Sequence, residues 1–144
     1  MKKLIQIGAM FALLVTFSAV SAYAQKAFRY DAQIPFDFSV GQKSYKAGKY
    51  TIRVSNPFAA TATVSIEDSE GNQFYTIHGL TSGEVSRNQP TLIFNRYENQ
   101  NFLSKIMVRE KGVTLPVSGA EKDLAGKSRK KKSKTQVAIA APQR

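Results

Sequence analysis

Without a single cysteine in its 144 residues, this chain has no disulfide to hold it together, no thiolate to bind a metal and no thiol nucleophile. Histidine occurs once, as His78, so a zinc site built on several imidazoles is excluded too. Acids are scarce, ten against 21 Lys and Arg. The G-x-S-x-G turn of the α/β-hydrolases is absent, and so is the alternation of strands and helices that such a fold requires. No amphipathic helix of ordinary length stands out. No cofactor or metal is expected from these residues.

The chain begins with "MKKLIQIGAMFALLVTFSAVSAYAQ", two lysines followed by an apolar run from Leu4 to Val20 and then Ala22-Tyr23-Ala24. This pattern predicts a secretory signal peptide over residues 1–24, with Ala22 and Ala24 as the small side chains that signal peptidase grips. An uncleaved membrane anchor is the weaker alternative, because the run is short for a span and is diluted by Gln6, Thr16 and Ser18. Export leads to a periplasmic or extracellular destination. The remaining 120 residues suffice for one domain with one core.

Charge is placed unevenly. Eleven basic residues and nine acids lie between Gln25 and Glu121, whereas eight basic residues and one acid follow from Lys122 onward. The high pI therefore describes the end of the chain, and the domain lacks the spread of Lys and Arg over its strands that a nucleic-acid face needs.

"FRYDAQIPFDFSV" places Phe28, Tyr30, Ala32, Ile34, Phe36, Phe38 and Val40 at every second position, which only extended chain puts on one face. Pro35 cannot donate to a ladder and marks an edge or a break between two strands. The same period returns in "KYTIRV" and "TATVSIE", and further strands are expected in "NQFYTIHGL", "PTLIFNRY", "FLSKIMVRE" and "VTLPV". Turn signals separate them, among them Gly41-Gln42, Asn56-Pro57, Glu70-Gly71-Asn72 and Glu98 to Asn101. The expected fold is all-β: an antiparallel sandwich or small barrel of seven to nine strands over residues 25–125. "SGAEKDLAG" predicts one short helical turn closed by Gly126. Residues 126–144, rich in Lys, Ser, Gln, Ala and Pro, read as a disordered basic tail in which "VAIAAP" is too short to anchor.

Candidate sites are few. His78 reads as a structural histidine. "EDSEGN" places three carboxylates around Gly71, but a hairpin turn with Gly71 at positive φ explains them without an ion. Asp31 and Asp37 are about 20 Å apart along a strand, too far for the paired carboxylates of a glycosidase. Tyr75, Phe94, Tyr97 and Phe102 surround "NRYENQNF", whose Asn95, Arg96, Asn99, Gln100 and Asn101 supply polar neighbours. A ligand-binding loop using Tyr75, His78, Arg96, Tyr97, Asn99 and Asn101 would stack on flat-faced polar ligands such as sugars. The competing reading is a hairpin whose aromatics fill the core and whose amides shape the turn.

Two long stretches and the end of the domain carry a resemblance. "IPFDFSVGQKSYKAGKYTI", "LIFNRYENQNFLSKI" and "LPVSGAEKDLA" resemble a family of small secreted bacterial proteins of unassigned activity, with a PFxFxVG strand, an AGxYxI hairpin, an FxRYxxxxFL hairpin and an LPxSxAExxLA end. The resemblance covers nearly all of Ile34 to Ala125 and implies export and a compact β domain, with no catalytic residues to carry over. The family pattern stops near Ala125, so the lysine-rich end is an addition.

That end, "GKSRKKKSK", contains Lys127, Arg129, Lys130, Lys131, Lys132 and Lys134 with no acid among them. Its expected partner is an anionic envelope component, lipid headgroups or lipopolysaccharide, with nucleic acid disfavoured for an exported protein. A protein partner added at a sheet edge is a further expectation. The chain is thus expected to be a non-catalytic binding or structural domain at the envelope. The alternative is a small secreted hydrolase or carbohydrate-active enzyme with its site near His78 or the Asn95–Phe102 loop.

Overall fold

A computed structural model describes residues 27–71, 75–84, 89–109, 111–131 and 134–141. The signal peptide expected over residues 1–24, with Ala22 and Ala24, lies outside the described residues. Ten strands and one helix are formed among those described: β1 (Ala27–Ile34), β2 (Phe38–Val40), β3 (Lys43–Tyr45), β4 (Gly48–Ser55), β5 (Thr61–Asp68), β6 (Tyr75–Ser82), β7 (Thr91–Tyr97), β8 (Gln100–Met107), β9 (Gly112–Thr114), α1 (Gly119–Lys131) and β10 (Lys134–Ala140).

The fold is all-β, and its strands form a single sheet. Hydrogen-bonded neighbours run β1-β4-β5-β6-β9-β8-β7-β10, with the β2-β3 hairpin branching from β8. The antiparallel expectation holds with one exception, a parallel β2–β8 contact at Ser39 and Phe102. The sheet does not close into a barrel. Its end strands, β1 and β10, touch without pairing.

Alternation explains the core. Tyr30, Ala32 and Ile34 of β1, Tyr50, Ile52 and Val54 of β4, and Ala62, Val64 and Ile66 of β5 all turn inward and are buried. They meet Leu92, Phe94, Leu103, Ile106 and Val113 from the other half of the sheet in one core. Each buried Val, Leu, Ile or Phe among them contributes about 1.5–3 kcal/mol by leaving water, which is how a chain without disulfides keeps its fold. All seven alternating residues from Phe28 to Val40 face that core, with Phe28 and Phe36 only partly covered. Pro35 falls in the break between β1 and β2.

The β2-β3 hairpin is seated by aromatic contacts. Phe38 stacks on Tyr45 at 5.2 Å and meets Tyr50 and Phe94 edge-on at 5.2 and 5.6 Å. Offset and edge geometries of this kind add about 0.5–1.5 kcal/mol each beyond area burial. Gly41 turns the hairpin at φ +59°, and the Tyr75 hydroxyl occupies the space where a Cβ at position 41 would stand.

Disorder is expected over residues 126–144, and the described part of that stretch, residues 126–131 and 134–141, corrects the expectation. The helix continues through Gly126 to Lys131, and Lys134–Ala140 forms β10, paired in antiparallel register with β7 from Lys134↔Tyr97 to Ala140↔Thr91. Composition predicted a solvated tail because cations outnumber apolar residues. Val137, Ile139 and Ala141 nevertheless alternate, and they pack on the core once β7 offers an edge. The ladder satisfies the backbone groups on the edge of β7 that faces away from β8 and those on the facing edge of β10. With β10, and with the short β3, the strand count exceeds the seven to nine expected.

Candidate functional site

The β7-β8 hairpin turns through two residues, Glu98 and Asn99, with Glu98 at φ +53° and Tyr97 paired to Gln100. Its aromatics do not form an open stacking platform. Phe94 is fully buried, and Tyr97 and Phe102 are 3% exposed, with their rings 6.0 Å apart. The reading of this hairpin as core-filling aromatics with turn-shaping amides is the one that matches.

Two polar networks radiate from the hairpin. On one face, Asn95 donates from Nδ2 to Glu121 Oε1 at 2.8 Å, and the Tyr97 hydroxyl donates to the same oxygen at 3.4 Å. All three residues are buried. Among the described residues, the Asn95 side-chain oxygen has no hydrogen-bond partner. Glu121 arrives here because Ser118 caps α1: the Ser118 hydroxyl accepts from Glu121 N at 3.2 Å, and its carbonyl accepts from Lys122 N at 3.0 Å. The sequence reading did not single out Glu121. The S-x-x-E spacing of Ser118 and Glu121 is the signal that was there, since it marks the first turn of a helix.

On the other face, Arg96 donates from Nε to Asn101 Oδ1 at 2.9 Å, and its guanidinium lies 5.7 Å from the centre of the Phe36 ring. Asn101 in turn donates from Nδ2 to the Asp37 carbonyl at 2.9 Å. Asp37 closes the network by accepting from Lys46 Nζ and from Ala47 N, each at 2.9 Å. The Lys46 ammonium hydrogen bond, helped by the Ala47 amide, holds the Asp37 carboxyl below its usual range. Arg96 and Asn101 therefore brace the β7-β8 hairpin against the two segments that flank the β2-β3 hairpin, Asp37 before it and Lys46-Ala47 after it.

Asn99, Gln100 and Asn101 line a cleft of about 570 Å³ whose opposite walls are Asp37 to Ser39, Ser44 to Tyr50 and the Asp68-Ser69-Glu70 turn. Its floor carries two phenols. Burial pushes Tyr45 up to about 12, and Tyr50, also raised chiefly by burial, donates its hydroxyl to the Lys46 carbonyl at 2.7 Å. Asp68 accepts from Glu70 N at 3.1 Å, and Gly71 stands at φ +74°, as a tight turn requires. The cleft is thus lined by amides, hydroxyls and the charged Lys46, Lys49 and Glu70, with Asp37 held by Lys46 and Ala47 across the cleft wall and Asp68 accepting within its own turn.

His78 does not belong to this cleft. It is exposed on β6, with Nδ1 3.3 Å from the Thr63 hydroxyl on the neighbouring strand. Tyr75, on the same strand, packs against the core beneath Lys43, whose Nζ lies 5.8 Å from the ring centre. The structure brings Asn99 and Asn101 together, ties Arg96 to Asn101, buries Tyr97 on the opposite network and leaves His78 apart. Asp31 accepts from Thr51 Oγ1 at 3.0 Å.

Lys127, Arg129, Lys130 and Lys131 lie in the second half of α1, Lys134 opens β10, and Lys132 lies outside the described residues. Lys127 is exposed. Cations suit the C-terminal end of a helix, where the unpaired carbonyls carry partial negative charge. Among the described residues no helix is long and apolar enough to cross a membrane. The chain matches no family model, no curated protein and no solved structure.

Proposed function

We propose that this protein is an exported, non-catalytic binding domain of the cell envelope, and that Lys127, Arg129, Lys130, Lys131, Lys132 and Lys134 contact a phosphate-bearing anionic surface. The observation that carries the reading is six cations within nine positions, with no acid among them, most of them on a helix anchored to the sheet. Near an anionic surface each cation contributes up to about 1 kcal/mol, so a few kcal/mol in total is within reach. The non-catalytic part is supported by the engagement of Asp37 with Lys46 and Ala47, and by the separation of His78 from the cleft. The resemblance of Ile34 to Ala125 to small secreted proteins supports export.

Co-sedimentation of the full mature chain with vesicles tests this. Arms with phosphatidylglycerol, lipopolysaccharide and neutral phosphatidylcholine separate the sources of phosphate. A variant with all six cations changed to Gln is the control, because truncation would also strip β10 from β7. Binding to at least one anionic surface should fall about tenfold or more as salt rises from ~0.05 to ~0.5 M, and the Gln variant should lose it. Equal binding by the Gln variant, or equal binding to neutral vesicles, would sink the proposal. Equally tight binding to duplex DNA would replace it with unspecific polyanion attraction.

A further inference from the structure

The outer edge of β7 is covered by the last strand of the chain. Thr91 to Tyr97 pair along their full length with β10, in a ladder that begins at Lys134↔Tyr97 and ends at Ala140↔Thr91. Uncovered, "TLIFNRY" would be a long, apolar and aromatic edge, the kind of template to which another strand adds. The cover is held mostly by this ladder. Its share of the core is Val137, Ile139 and Ala141, and α1 adds the buried Glu121 and the half-buried Leu124 and Ala125.

Among the described residues, the cover joins the rest of the chain through one exposed junction. The chain is fixed at Leu115, which is buried and donates its amide to the Ser104 carbonyl at 2.9 Å. It is fixed again at Ser118, which caps α1. Pro116 and Val117 between them are exposed, Val117 to 47%. Beyond this hinge the 13 residues of α1, about 20 Å long, contact β7 and β10.

We infer that α1 and β10 exchange between two copies of this chain, each copy's β10 pairing with the other's β7 and each Glu121 accepting from the other's Asn95 and Tyr97. Exchange about residues 116–117 remakes every contact of the cover in the same register, so the two-copy form gives up only association entropy and gains whatever the reopened hinge adds. The occupant is a second copy because the chain already carries a strand matched to this edge. Exchange also places two basic runs on one particle. That consequence rests on the polyanion reading and would raise its affinity by avidity, whereas the exchange itself does not depend on it.

The absence of cysteine makes the test clean. Ile93 and Ala138 are partners across the β7–β10 ladder, where antiparallel Cα atoms lie about 4.5–5.5 Å apart, within disulfide range. Full-length chains carrying Ile93→Cys or Ala138→Cys alone are mixed at high concentration, incubated and oxidised. The control mixture pairs Ala138→Cys with Arg53→Cys, an exposed residue on β4. The mixed disulfide between Ile93→Cys and Ala138→Cys chains should exceed that of the control at least tenfold. Yields equal to the control overturn the inference. The double variant Ile93→Cys/Ala138→Cys checks the pairing: it should form an intrachain disulfide when dilute, and its failure to do so would overturn the inference as well. Neither readout involves an anionic ligand, so failure of the polyanion reading would leave both results standing.

Discussion

Asn95 on β7 donates its side-chain amide to Glu121 of α1 at 2.8 Å, joining two residues 26 positions apart in a place where both are buried. Glu121 accepts from both Asn95 and Tyr97 here, and the contact ties the helix to the hairpin. Changing Glu121 to Ala removes the oxygen that accepts from the Asn95 amide and the Tyr97 hydroxyl, so urea denaturation should show a loss of about 1–3 kcal/mol. Glu121→Gln retains an acceptor oxygen and should cost less. In a cycle with Asn95→Ala the two losses should be non-additive by about 1 kcal/mol. Additivity within about 0.5 kcal/mol would show that the contact carries no coupling.

Two glycines should respond in opposite directions to the same change. A Cβ at Gly79 would come within 2.6 Å of Val113 Cγ1 and 2.9 Å of the Thr114 carbonyl, where β6 and β9 pack closely. Gly79→Ala should therefore destabilise by about 1–3 kcal/mol through overpacking. Gly126 lies within α1 with nothing within 4 Å of its would-be Cβ. Gly126→Ala should raise stability by about 0.5–1 kcal/mol, since alanine loses less backbone freedom in a helix. Thermal melts of both variants decide the matter. A neutral or harmful Gly126→Ala would contradict the helix through this position.

The pH response should have one component on each side. The Asp37 carboxyl is held below its ordinary value of 3.8, so the stability it contributes is present above that value and lost as pH falls through its lower folded value. Asp37→Asn should be less stable than the parent at neutral pH, with the gap closing in strong acid. Burial pushes Tyr30 and Tyr45 up to about 12 from 10.0, so the neutral phenols favour the folded state. That contribution is intact below pH 10 and is lost as pH rises toward 12. Phenolate absorbance should show part of the tyrosine titration delayed until the chain unfolds. A single titration at the ordinary tyrosine value, with the fold intact, would refute the burial of these hydroxyls.

Much of the sheet was legible because alternation is local. Tyr30, Ile34, Ile52 and Ile66 declare an inward face through their immediate neighbours, and Pro35 and Gly71 mark breaks by their own backbone chemistry. A turn was legible at Glu98 to Asn101 on the same basis, although Gln100 and Asn101 already belong to β8. The loop's function was not, because Tyr97 and Phe102 look alike in sequence whether they fill a core or line a site, and only the sheet above them decides.

The chain end shows the same division from the other side. Read by composition, residues 126–144 are too charged to bury surface. The alternation of Val137, Ile139 and Ala141 was present in the sequence but had no visible partner. Period-two patterning says which way a side chain turns, and helix spacing says where Ser118 would cap. Neither says which distant edge has backbone groups left to satisfy. The free edge of β7 exists only once β8 has paired with its other side, and that edge orders β10, carries α1 into place and buries Glu121 against Asn95. Pairing across such separations is a property of the closed set of hydrogen bonds, which no single stretch of sequence contains.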